Sequence, residues 1–272
     1  MQKFTLLLLS LVLLAPLGID LYLPTLPQIA EGLNSPVSLI QITIPLFLLV
    51  MGIGQLVTGP LVDNFGRKPI ALIGLALYIV GSAVAATATV WPVFFLARLI
   101  QGCAVCCSAV VAFSGVRDRL SGDEAARAYG FLNGALNIVP ALAPLLGGIL
   151  AEAYGWRAPF WFLCGYAAGI GLIVVFCLPE TRPADTLRVK GLPLAQYAAI
   201  AREPRFLAFA FANAGALGMV LTYVSLAPHV LMTEGGLTPL QFSFAFGANG
   251  FWIMLVSAFV NKTIRKAGRP FC

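Results

Sequence analysis

Gly59-Pro60-Leu61-Val62-Asp63-Asn64-Phe65-Gly66-Arg67-Lys68-Pro69 stands between two long apolar runs, 39–61 and 69–88. The segment gathers one acid, two bases, two glycines and two prolines in a sequence otherwise poor in charge. Gly66 permits a tight turn, and Gly59 a close helix contact. Asp63 can cap a helix N-terminus or pair with a cation such as Arg117 or Arg119. A polar turn between two runs of this length reads as a loop joining two membrane-crossing helices, since a span needs roughly 20 predominantly apolar residues.

Working outward from that loop gives eight spans: 4–24, 39–61, 69–88, 91–113, 127–150, 157–178, 205–229 and 240–261. Apolar residues make up 60% of the 272 and charged residues 10%, against roughly 25% charged in soluble domains. The surplus of apolar surface calls for lipid as the solvent. Spans this long, without alternation of polarity, exclude an outer-membrane barrel. The fold class is therefore an all-α integral membrane protein. The start, 1–18, resembles a signal peptide in its Lys3 and apolar run. It lacks a small-residue cleavage site and reads as an uncleaved first helix.

The basic residues set the expected orientation. With the N-terminus in the cytoplasm, 15 of the 17 lysines and arginines fall on that side, among them Lys3, Arg67, Lys68, Arg117, Arg119, Arg127, Arg182, Arg188, Lys190 and Lys262. Only Arg157 stays in an outer loop, and Arg98 lies within a span. The net charge of +6 thus serves membrane topology, and no nucleic-acid partner is expected. Cys103, Cys106 and Cys107 lie in an apolar segment far from His229, the single histidine. They read as small buried hydrophobes, with no metal and no cofactor expected. Neither H-E-x-x-H nor G-x-S-x-G occurs, so no enzyme is expected.

The longest connection, 179–204, carries prolines, charges and a short amphipathic piece at 194–200. It divides the chain into an expected six-helix bundle (1–178), a central cytoplasmic loop (179–204) and the first two helices of a second bundle (205–272). Thr263-Ile264-Arg265-Lys266-Ala267-Gly268-Arg269-Pro270 after the eighth span repeats the Gly-Arg and Pro of the 59–69 loop. That repeat suggests a duplicated six-helix unit. A complete second half would need about 100–130 further residues beyond Phe271-Cys272, so the expectation is a C-terminally truncated chain, about eight of twelve helices.

Several marks resemble the major facilitator superfamily. The 59–69 segment resembles its signature loop between helices two and three. Arg98-Leu99-Ile100-Gln101-Gly102 is similar to its R-x-x-Q-G motif. Arg98 follows Trp91 by seven residues; it either snorkels to the outer interface or serves a site, and Gln101 one turn on favours the site. Pro140, Pro144, Gly147 and Gly148 in the fifth span resemble the antiporter motif of drug:proton exporters, with small residues for close packing and prolines for a bend. Gly155-Trp156-Arg157 and Leu178-Pro179-Glu180-Thr181-Arg182 fit further family marks. The set D-x-Y-L-P at Asp20-Leu21-Tyr22-Leu23-Pro24, V-R-D at Val116-Arg117-Asp118 and P-E-T-R is most similar to the Bcr/CflA drug-resistance branch, including chloramphenicol and florfenicol exporters.

The resemblance implies a proton-coupled exporter of a small amphipathic drug-like substrate in the bacterial inner membrane, working by alternating access. Asp20, the one acid well within a span, would carry the proton, with Tyr22, Arg98 and Gln101 beside it; alternatively Asp20 caps a helix at its wet outer end. Gly59, Asp63, Gly66, Arg67 and Arg117 would form a conformational latch. Two other readings stay open: proton-coupled export of a native metabolite such as a sugar, nucleoside or amino acid, and a truncated fragment without function.

Overall fold

The computed structural model describes residues 2–183 and 191–267. Helix α1, whose apolar span is Lys3–Gly32, is made of the pieces Gln2–Val12, Leu14–Asp20, a 3-10 turn at Leu23–Thr25 and Leu26–Gly32. Helices α2 (Val37–Phe65), α3 (Arg67–Thr87), α4 (Trp91–Arg119), α5 (Gly122–Tyr154) and α6 (Ala158–Cys177) follow. The short α7 (Leu194–Ile200) falls on the amphipathic piece read from sequence. Then come α8 (Pro204–Pro228), extended by a π-helical turn at His229–Glu234, and α9 (Pro239–Ala267). No strand occurs among the described residues.

Six segments are long and apolar enough to cross a membrane: α1, α2, α3, α4, α6 and Pro204–Glu234. The two arms of α5, Gly122–Pro140 and Leu142–Tyr154, make a seventh if they form one span bent by 42°. Helix α9 lies outside that count, though its 29 residues reach roughly 40 Å.

Several boundaries differ from the sequence expectation: α2 continues past 61 to Phe65, α4 continues past 113 to Arg119, and α5 runs from Gly122 to Tyr154 where 127–150 was expected. The first span runs past 24 to Gly32, because Pro24 and Pro27 each sit in the first turn of a new helical piece, where a missing N–H costs nothing. Thr263–Ala267, read as loop, continue α9. The Gly268-Arg269-Pro270 end of the proposed repeat, Phe271-Cys272, Arg188 and Lys190 lie outside the described residues.

Helix α4 is central, packing on α2, α3 and α1. Its glycines and those opposite make this close approach feasible. A side chain at Gly81 of α3 would meet Gln101 and the Ala97 carbonyl, and one at Gly102 of α4 would meet the Phe47 carbonyl at 3.0 Å. Two of the three cysteines belong to the same seams, the buried Cys106 facing Gly54 and the half-buried Cys107 facing Gly74, a packing role expected of them; Cys103 is exposed, against the expectation of a buried residue. The outward faces carry Leu49, Ile53, Leu77, Leu172 and Phe176, all exposed, as surfaces meant for lipid require.

Candidate functional site

The break in α1 places Asp20 inside the bundle. Helical bonding stops after Leu21, whose N–H still reaches Leu17 (3.2 Å). The backbone then tightens, with the N–H and the hydroxyl of Thr25 both donating to the Tyr22 carbonyl, at 2.9 and 2.6 Å. This satisfies backbone groups that lipid cannot. Asp20 is 5% exposed, and among the described residues no hydrogen bond or ion pair reaches its carboxylate. It is thus interior to a span, not a cap at a wet helix end.

Two residues on, Tyr22 is fully buried. Thr43 donates its hydroxyl proton to the Ile40 carbonyl (2.6 Å), so the 3.0 Å contact between Tyr22 and Thr43 has the phenol as donor. The Tyr22 ring lies against Arg98 of α4, with the guanidinium carbon 4.4 Å from its centroid; the Phe47 ring of α2 lies 4.6 Å away. Arg98 Nη1 donates to Gln101 Oε1 at 2.6 Å, and Gln101 Nε2 donates to Ser82 Oγ of α3 at 2.8 Å.

Arg98 and Gln101 are both wholly buried, so the arginine does not snorkel. Placing an arginine at mid-membrane costs about 2.5–3.5 kcal/mol on insertion scales. Two desolvated cation–π contacts of about 2 kcal/mol each and a charge-assisted hydrogen bond of about 1.5–3 kcal/mol offset that cost without a carboxylate. Arg98 Nε and Nη2 have no partner among the described residues. The structure therefore brings Tyr22, Arg98 and Gln101 together, and it brings Asp20 onto the same broken segment but into no ion pair with Arg98.

Helix α5 closes this region from the other side. Any side chain at Gly147 would collide with the Leu21 carbonyl, adjacent to Asp20. At Gly148 it would collide with Ser243 Oγ of α9 and meet the Pro239 carbonyl at 3.1 Å. Pro144 removes the N–H that would bond the Pro140 carbonyl, which accounts for the bend between the two arms of α5.

At the basic end of the bundle, the sequence expectation for Asp63 needs correction. Its partner is neither Arg117 nor Arg119 but Arg67, one turn on, at 3.2 Å. Arg67 is itself buried and engages Asp118 through Nε at 2.7 Å and the Val62 carbonyl through Nη1 at 3.2 Å. The cause is Gly66, whose φ of 96° ends α2 and starts α3 without a spacer, turning Arg67 inward between the two acids. Arg117 is 65% exposed and only 3.8 Å from Asp118, while Arg119 lies over the Phe4 ring. Gly59 does not mediate a close contact either: nothing described lies within 4 Å of a Cβ built there.

Asp63 also does not cap α3. That place is taken by Glu180, which accepts the N–H groups of Arg67 (2.8 Å), Lys68 (3.2 Å), Thr181 and Arg182 (both 2.9 Å). Burial pushes its carboxyl up, but these four donors outweigh burial and hold it below the usual glutamate range. A depressed folded-state value means that the stabilisation is present above the usual range and is lost as pH falls through the depressed value. The Tm difference between the native chain and Glu180→Gln is therefore expected to be constant at neutral pH and to vanish on acidification. A pH-independent difference would contradict this capping role.

The sequence places Asp118 and Glu180 within motifs without marking them as neighbours of the 59–69 loop. It had no signal for Phe47, Thr43 or Ser82, which look like ordinary members of apolar helices.

The sequence model of the Major Facilitator Superfamily matches residues 8–272. The chain belongs to the Major Facilitator Superfamily. Among its relatives, a chloramphenicol resistance protein of Pseudomonas aeruginosa is 36% identical over 264 residues, covering 95% of this chain and 61% of the relative. The multidrug resistance protein MdtL of Klebsiella pneumoniae is 33% identical over 257 residues, covering 94% and 65%. The chain thus spans less than two thirds of the length of these relatives. Among solved structures, a bacterial homolog of the human lysosomal transporter Spinster, in an inward-facing and unoccupied conformation, superposes with a TM-score of 0.72 at 18% identity, covering 94% of this chain and 60% of that one. The human organic anion transporter MFSD10 gives 0.65 at 20% identity, covering 93% and 70%. Both likenesses concern the fold. As a Major Facilitator Superfamily member with six to seven apolar spans, the chain is a multi-pass membrane protein.

Proposed function

We propose that this chain serves proton-coupled export of small, neutral, amphipathic molecules of the phenicol type by alternating access. The observation that carries the reading is Asp20: a carboxylate inside a span, at a helix break, with no fixed partner among the described residues. Such a group changes the charge of the site when a proton arrives or leaves, so proton and substrate can exclude one another. Two relatives are named for drug resistance, and the D-x-Y-L-P and Pro144/Gly147-Gly148 patterns resemble drug:proton exporters of the Bcr/CflA branch.

In this reading the division into 1–178, a central loop 179–204 and 205–272 corresponds to one helix bundle, its linker and the start of a second. The end bearing Arg67, Lys68, Arg117 and Arg119 faces the cytoplasm, with the N-terminus, in a bacterial inner membrane. Gly66 and Arg67, with Asp63, Asp118 and Glu180, set the latch there; Gly59 and Arg117 lie beside it. At the opposite end Gln41 of α2 donates to the Ser225 carbonyl of α8 at 3.2 Å, a contact that in this reading links the two bundles there. Gly147 and Gly148 let α5 lie directly between α1 and α9, where rocking of one bundle against the other is transmitted to Asp20.

The test is proton release. Adding chloramphenicol to the purified protein in weakly buffered solution is expected to release protons from the unmodified chain, and none from Asp20→Asn. Binding without proton release from the unmodified chain would overturn the competition on which the reading depends.

A further inference from the structure

Arg98 is a buried cation that pairs with no acid among the described residues. Its charge is met on two sides by aromatic faces, Tyr22 at 4.4 Å and Phe47 at 4.6 Å, and at one edge by Gln101. These groups come from three helices. Tyr22 belongs to the broken segment of α1, held in place by its hydrogen bond to Thr43 of α2; Phe47 lies one turn beyond Thr43 in α2; Gln101 is in α4 and is itself fixed by Ser82 of α3. The remaining donors, Nε and Nη2, have no partner among the described residues.

From this arrangement we infer that Tyr22 and Phe47 are positioning residues: an aromatic clamp that holds the Arg98 guanidinium as a cation and ties it to the α1 segment carrying Asp20. The inference rests on the transport reading for its purpose but on geometry for its existence. An aromatic clamp suits this place better than a carboxylate. A carboxylate would lock the arginine in a fixed ion pair, whereas ring faces stabilise the charge and leave edge donors free for an acceptor that comes and goes. Because Tyr22 lies two residues from Asp20, any shift of the broken segment slides the ring across the guanidinium. The phenol's bond to Thr43 sets the rest position, and the fully buried Phe47, on the intact stretch of α2, provides the stationary jaw.

Ring currents give the clamp a direct signature. In the full chain labelled with 15N-arginine and held in lipid nanodiscs, the Arg98 side-chain Nε–H proton, assigned by its disappearance in Arg98→Lys, is expected to be displaced upfield. The displacement should fall in Tyr22→Leu and in Phe47→Leu, survive in Tyr22→Phe, and be untouched in Phe95→Leu, whose ring pairs with Trp91 instead. An undisplaced resonance, or one indifferent to both leucine variants, overturns the clamp. In pH-gradient-driven chloramphenicol uptake by the same chain, both leucine variants are expected to lose uptake while Phe95→Leu keeps it. Uptake retained by both leucine variants despite a lost displacement overturns the positioning role. A displaced resonance with no uptake, by this chain alone and by this chain joined to the C-terminal part of the Pseudomonas aeruginosa relative, overturns the transport reading and leaves the clamp standing.

Discussion

An Asp20→Asn variant is expected to lose pH-gradient-driven export entirely while still binding its substrate. The side chains are nearly isosteric, the site is 5% exposed, and no partner among the described residues depends on the carboxylate. The substitution therefore removes the exchangeable proton and little else. Packing around the position, with Gly147 of α5 against the Leu21 carbonyl, should survive, so thermal stability is expected to stay level or rise. The pair of measurements is gradient-driven uptake and equilibrium drug binding. Uptake at the unmodified rate would remove Asp20 from the coupling step. Loss of binding together with uptake would assign Asp20 to substrate recognition alone.

The second large effect is expected at the basic end. Arg67→Ala leaves Asp118, whose side chain is 4% exposed, without its buried cation and with only the exposed Arg117 at 3.8 Å, and leaves Asp63 unpaired as well. Removing one partner of a buried pair costs about 3–5 kcal/mol, because the other charge stays buried and uncompensated. The expected outcome is a marked fall in Tm in detergent and a loss of transport. Asp63→Asn makes an informative contrast. Asp63 is 34% exposed, where an ion pair is worth at most about 1 kcal/mol, and Arg67 keeps Asp118. Stability should barely change while transport falls, since only the switchable contact is lost. Equal destabilisation by both variants would mean that the network is a static brace; unchanged transport in Asp63→Asn would dismiss the latch.

How far the sequence alone led is clear from particular residues. The helices were legible because hydropathy and length suffice for them, and the loop at 59–69 was legible because Gly66 and its charges have few alternatives. Arg98 with Gln101 was legible too, since a helix places residues three apart on one face. What the sequence could not give was partner choice between helices. The partners of Arg67 are set by the turn at Gly66 and by the depth of α4, so the sequence points to Arg117 as a partner of Asp63 where Arg67 acts. The clamp was invisible for a related reason: Phe47 looks like any phenylalanine in an apolar run until α2 is laid against α4 at Gly102. Gly59 failed in the opposite direction, a glycine in a suggestive motif that faces open space in this structure.

The most direct test of the central claim is uptake of radiolabelled chloramphenicol into everted membrane vesicles, with and without an imposed pH gradient. It is run on this chain alone and on this chain joined to the C-terminal part of the Pseudomonas aeruginosa relative. The account predicts uptake that requires the gradient, collapses with a protonophore and disappears in Asp20→Asn. Uptake indifferent to the gradient in both forms, or equally strong without the Asp20 carboxylate, would contradict it.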